Sequence, residues 1–170
     1  MQVTRISTTD TAKLIRKELK HYFPATKFSV RLHSYSGGSS INISWFDGPM
    51  QDEVDAIAKR FEGASFDGMT DMKDYKNSFV ILEGSTLPVE VHYGADFVFT
   101  NRDMSAEYKA ELIAKFEEIS GMKYEDNESY ELAETGLYAH GSWYGMPRMY
   151  GCQIVNRMSY IFPAQEKAVA

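Results

Sequence analysis

The chain of 170 residues contains a single cysteine, Cys152. No internal disulfide can form, and one thiol suits a reducing compartment. No run of about 18 apolar residues occurs, which excludes a transmembrane helix. The opening MQVTRISTTDTAK holds no apolar stretch of the secretory kind, so a cytoplasmic protein without membrane contact is expected. There is no HExxH, no GxSxG elbow, and no second cysteine to complete a zinc set. No cofactor and no metal is therefore expected, and no enzyme class is indicated. Repeats and low-complexity segments are also missing. What is present is an ordinary globular composition, 44% hydrophobic and 25% charged, with 11 Tyr, 10 Phe and 2 Trp to fill a core. The length fits a single domain over residues 1–170.

The net charge of −6 is unevenly spread. Residues 1–35 hold seven basic and two acidic side chains, while residues 103–134 hold three basic and ten acidic. A basic start and an acidic middle can steer a charged partner.

A first helix opens at Thr8, Thr9 or Asp10 and runs through AKLIRKELKHYF until Pro24 stops it. Ala12, Ile15, Leu19 and Tyr22 share one face, and Lys13, Arg16, Lys17 and Lys20 lie largely on the other. Phe28, Val30 and Leu32 alternate with polar residues, as do Ile41, Ile43 and Trp45, and Ser36-Gly37-Gly38-Ser39 between them reads as a hairpin turn. Asp47-Gly48-Pro49 opens a second helix with Met50, Val54, Ile57 and Phe61 as its stripe and Gly63 as its stop. Strands follow at 79–82, 89–93 and 97–99, the first two flanking a turn at 84–88. Ser105 caps a third helix to about Ile119, and Tyr150, Cys152 and Ile154 alternate as a late strand, with Cys152 half-buried and a frayed tail from Ala164. The expected fold class is α+β: helix, hairpin, helix, then further mostly antiparallel strands and a third helix. Residues 8–104 form the core, and 105–170 a helix with a Gly- and aromatic-rich extension.

TTDTAKLIRKELKHYFP, FSVRLHSYSGGSSINISWFDGP, the helix ending in RFEG, and FDGMTDMKDY, in this order, resemble the large polyvalent protein-associated domain 29. The resemblance covers about residues 8–100. That family occurs as one module of very large proteins of phages and conjugative elements, and as small stand-alone proteins. It implies an accessory protein of a mobile element acting inside a bacterial host, against or alongside host defence. It supplies no catalytic residues.

Several constellations are candidates for function. Asp67, Asp71 and Asp74 suit one face of a helical turn and form the best acidic cluster, without the alternate ligands of an EF-hand. His92 lies four residues before Asp96, a spacing that can orient an imidazole for base catalysis or make a plain polar pair. The serines and glycines around Tyr35 have strand on both sides and no Lys after them, unlike a phosphate loop. Lys13, Arg16, Lys17 and Lys20 with Arg31, His33 and Tyr35 can form a stripe for phosphates and stacked bases. The ten carboxylates of 103–134 can instead imitate the phosphates of nucleic acid. Trp143 and Tyr144, in the Gly136–Pro147 segment, are either a contact surface or a cap on the core.

The leading expectation is a non-enzymatic accessory protein that binds a host macromolecule, with a host protein as partner. The alternative is a nucleic-acid-binding module that uses the basic first helix and the hairpin face. A third reading is a small enzyme whose site gathers His33, His92 and Asp96. The oligomeric state is not legible.

Overall fold

The computed structural model describes residues 3–69, 71–81, 86–141, 143, 146–162 and 164. In chain order its elements are β1 (Thr4–Ile6), α1 (Thr8–Tyr22), β2 (Ser29–Tyr35), β3 (Gly38–Phe46), α2 (Gln51–Ala58) and a 3-10 turn (Lys59–Phe61). The short strands β4 (Ala64–Asp67), β5 (Met72–Tyr75) and β6 (Ser78–Val80) follow, then β7 (Val89–Tyr93) and β8 (Phe97–Asp103). The chain goes on with α3 (Ala106–Ser120), β9 (Ser129–Glu131), a second 3-10 turn (Leu137–His140), β10 (Arg148–Tyr150) and α4 (Gly151–Ile161). The fold class is α+β, and among the described residues four of the six strand pairings are antiparallel.

The chain divides into two compact units, one ending at Asp103 and the next starting at Met104. Each has its own hydrophobic cluster. In the first unit the central piece is β3, which pairs antiparallel with β2 and parallel with β8 to give the order β2-β3-β8. A parallel neighbour cannot be reached by a tight turn, and residues 47–96 supply the connection, carrying α2 and four short strands. Ile41, Ile43 and Trp45 on one face of β3 are at most 1% exposed. They pack with Ala12, Ile15 and Leu19 of α1 and Val54, Ile57 and Ala58 of α2. Each Ile, Leu and Val among them stabilises the unit by roughly 1.5–3 kcal/mol through burial. The Trp45 indole N–H donates to the Pro49 carbonyl at 3.0 Å, so its polar atom is not left unpaired in the core.

Local chemistry corrects several boundaries. The N-cap of α1 is Ser7, one residue before the expected candidates: its Oγ accepts from the Asp10 backbone N–H at 3.1 Å. Asp47 and Gly48 both take positive φ, +53° and +57°. They form a turn ahead of α2 rather than its cap, and the helix begins only after Met50. FDGMTDMKDY is the β4–β5 hairpin, with Asp67 opposite Met72 and Asp74 opposite Ser65, so the three aspartates do not share a helical turn. The turn expected at 84–88 falls partly on residues 84–85, and the expected frayed tail partly on 165–170, outside the described residues.

In the second unit, α3 starts at its Ser105 cap and ends at Gly121, which is left-handed at φ +66°. The late strand does not extend past Tyr150. From Gly151 the chain is helical because Ile154, Val155 and Met158, all fully buried, follow helical and not alternate spacing. Cys152 is exposed on that helix rather than half-buried. Tyr108, Leu112 and Phe116 of α3 pack against these residues.

The hairpin turn is tight: Tyr35 pairs with Gly38, leaving Ser36 and Gly37 at the reversal, with Gly37 at φ +88°. Gly38 is already strand, and a Cβ there would lie 2.0 Å from Asp96 Oδ2 and 2.8 Å from the Tyr35 ring. The two glycines should therefore respond differently to alanine. Gly37→Ala should cost about 1–2 kcal/mol of conformational strain. Gly38→Ala should cost more, about 2–3 kcal/mol, because it displaces a carboxylate with three donors. Urea unfolding of both variants is the measurement, and a smaller loss for Gly38→Ala would contradict this account.

Candidate functional site

Side chains alternate across a strand, so the β2-β3-β8 register assigns every residue to a face. One face is the core just described. On the other, β2 presents Arg31, His33 and Tyr35, and β8 presents Phe97, Phe99 and Asn101. Between them runs the β3 column of Ser40, Asn42 and Ser44, ending in Phe46. Rows across the sheet read His33–Ser40–Phe97 and Arg31–Asn42–Phe99. Phe46 is 65% exposed and Phe99 55%. The Phe97 and Phe99 rings lie 6.3 Å apart, and His33 and Tyr35 6.2 Å apart. The result is a polar floor, exposed at Asn42, half-buried at Ser44 and buried at Ser40, between a phenylalanine column and a column of Arg, His and Tyr.

A buried carboxylate closes the turn end of this face. Asp96 Oδ2 accepts from the Ser39 backbone N–H at 3.1 Å, the Lys73 ammonium at 2.7 Å and the Tyr35 hydroxyl at 3.4 Å. Lys73 also stands 4.7 Å from the centre of the Tyr75 ring. Partial burial, then the Asp96 charge, raises the Tyr35 phenol above its ordinary value, so it stays a neutral donor. The bond to Asp96 holds the Lys73 ammonium above the usual lysine range.

Both outer edges of the sheet carry side-chain partners. Arg16 Nη2 donates to the Val30 carbonyl at 2.6 Å on the β2 side. On the β8 side Glu62 accepts from the Val98 N–H at 3.0 Å, and Gln51 donates to the Thr100 carbonyl at 3.0 Å. Thr100 in turn donates to Asp55. Groups so engaged are poor templates for an added strand.

The residues singled out from sequence separate into distinct places. Lys13, Arg16, Lys17 and Lys20 are exposed on α1, which covers the core face of the sheet. Arg31, His33 and Tyr35 are exposed on the opposite face. Of the helix cations, Arg16 reaches the β2 edge, and Lys13 is engaged by Asp10 at 2.8 Å. Trp143 is 2% exposed and sits in the second core. Tyr144 lies outside the described residues. His92 does not meet Asp96: its Nδ1 is 3.2 Å from the Lys76 carbonyl and its ring packs on Tyr75. Among the described residues no three His, Cys, Asp or Glu side chains are grouped to hold a metal, and no helix is long and apolar enough to cross a membrane. Part of the acidic stretch is paired. Lys109, Lys123 and Arg148 pair with Asp126, Glu125 and Glu131 within it. Phe46, Phe97, Phe99, Asn42 and Lys73 were not among the expected site residues. The Phe97/Phe99 alternation is visible in sequence, but only the parallel register with β3 aligns it with Arg31 and His33.

The Lys73–Asp96 pair has a definite pH signature. A raised lysine value means its stabilisation is complete below the ordinary lysine range and is lost as pH climbs through the raised value. Lys73→Met should lower stability by about 1 kcal/mol at neutral pH, with the gap to wild type closing in strong alkali. Chemical unfolding of both proteins across that pH range checks it.

Residues 6–105 match the family model described as Large polyvalent protein associated domain 29. No curated protein and no solved structure matches the chain. The matched span contains β2, β3 and β8 whole and ends beside the boundary between the two units.

Proposed function

We infer the function from one premise: the chain belongs to the family of Large polyvalent protein associated domain 29. It is an accessory module of mobile genetic elements that works in the cytoplasm of a bacterial host. It acts by binding a host macromolecule, in the setting of host defence, and not by chemistry of its own. Its contact surface is the open face of the β2-β3-β8 sheet. The observation that supports this is the placement of Phe46 and Phe99, each more than half exposed, on a face whose reverse is core. Large rings in water cost free energy that contact with a partner recovers. Tyr35 and Arg31 on the same face are residue types favoured at such contacts.

The test is capture of the tagged full chain from bacterial lysate at moderate salt, with protein and nucleic acid both analysed. Three proteins are compared: wild type, Phe46→Ser/Phe99→Ser, and Lys17→Glu/Lys20→Glu. Loss of a central aromatic anchor weakens contact by about tenfold or more. A partner recovered with the wild type and the helix variant, and lost with the phenylalanine variant, is the expected result. Recovery that survives the phenylalanine change and fails with the helix change would place the contact on α1 and overturn the reading.

A further inference from the structure

We propose that the partner on this face is single-stranded nucleic acid, its bases stacked on Phe97 and Phe99 and its phosphates drawn to the β2 side by Arg31 and Arg16. The proposal rests on the reading that the open sheet face is the contact surface.

Three features of the face select this occupant. First, the aromatic and cationic groups are segregated. The phenylalanines stand on β8, while Arg31 stands on β2, and Arg16 brings its guanidinium to the outer β2 edge at the Val30 carbonyl. The two columns are two strand spacings apart, about 10 Å. A nucleotide has the same two-part chemistry, an aromatic base at one side and a charged phosphate at the other. Second, Phe97 and Phe99 follow one another at 6.3 Å between ring centres. Bases stacked on one another would sit closer, so Phe99, 55% exposed, offers the main platform to a base of an extended strand and the partly buried Phe97 flanks it. Third, the floor between the columns is polar and not a patch of aliphatic residues: Asn42 is exposed, Ser44 half-buried and Ser40 buried. A protein interface wants an apolar centre. A base lying on Phe99 instead needs polar groups at its edge, and the exposed Asn42 amide, directly across from Phe99, offers both a donor and an acceptor. The carboxylates of Asp96 and Asp103, at opposite ends of the face, are both engaged. Asp96 has three donors, and Asp103 accepts from the Asn101 amide at 3.0 Å.

The experiment is fluorescence anisotropy of labelled oligodeoxythymidine and oligouridine with the full chain. It is run at low and moderate salt, beside a duplex of matched length. The expected result is saturable binding of single strands, at least about tenfold tighter than duplex, weakening as salt rises. Phe99→Ala should weaken it by roughly tenfold and Phe99→Trp should restore it. Arg31→Gln should weaken binding and flatten the salt dependence by about one phosphate contact. Phe99 and Arg31 are both exposed, and circular dichroism confirms that the variants stay folded. No binding of either single strand at low salt, or binding indifferent to Phe99→Ala, overturns the proposal. If single strands fail while a captured host protein is still lost with Phe46→Ser/Phe99→Ser, the partner is a protein and only the nucleic-acid inference falls. If the captured partner is also indifferent to that change, the reading of the face falls with it.

Discussion

The structure of the first unit depends on the one-sidedness of β3. A central strand with Ile41, Ile43 and Trp45 on one face and Ser40, Asn42 and Ser44 on the other cannot be covered twice. The apolar side draws α1 and α2 onto it, and burial of three large side chains makes a one-residue slip prohibitive, since it would expose all three. That register then decides what stands on the reverse. Arg31, His33, Phe97 and Phe99 stand on the open face because their partners in the pairing are the polar residues of β3. The open face and its side chains are thus a consequence of core packing.

Side chains engage the other borders of the sheet and leave that face open. The β8 edge is occupied by Gln51 and Glu62, and the β2 edge receives Arg16. The turn end is fastened by Asp96, whose carboxylate ties the β2–β3 turn to the β4–β5 hairpin through Lys73. Gly38 is required there because any side chain would occupy the space of that carboxylate. On the open face Phe46 and Phe99 leave ring surface in water, and ring surface in water is a driving force for association.

Much of this was legible from residues alone where a short-range signal exists. The helix α3 could be read from Ser105, its stripe and Gly121, and the β2–β3 hairpin from strict alternation around Gly37. One group of failures comes from long-range pairing, which leaves no local mark. FDGMTDMKDY carries spacing that fits a helical turn, yet pairing of Ala64 through Asp67 with Met72 through Tyr75 makes it a hairpin. Tyr150, Cys152 and Ile154 alternate like a strand, but Val155 and Met158 decide for helix once a core is there to receive them. The site was half legible for the same reason. Arg31, His33 and Tyr35 are adjacent in sequence, whereas Phe97 and Phe99 join them only through a parallel pairing across residues 47–96. The helix cations seemed to extend the same stripe, and three dimensions place α1 on the opposite side of the sheet.

The most direct test of the central claim is site-specific photo-crosslinking in bacterial cells. A photoreactive amino acid is placed at Phe99 on the open face and, in a separate strain, at Lys17 on the outer side of α1. The account predicts a discrete adduct from position 99 and none from position 17. An adduct from position 17 with nothing from position 99 would contradict it, and would move the working surface to the basic helix.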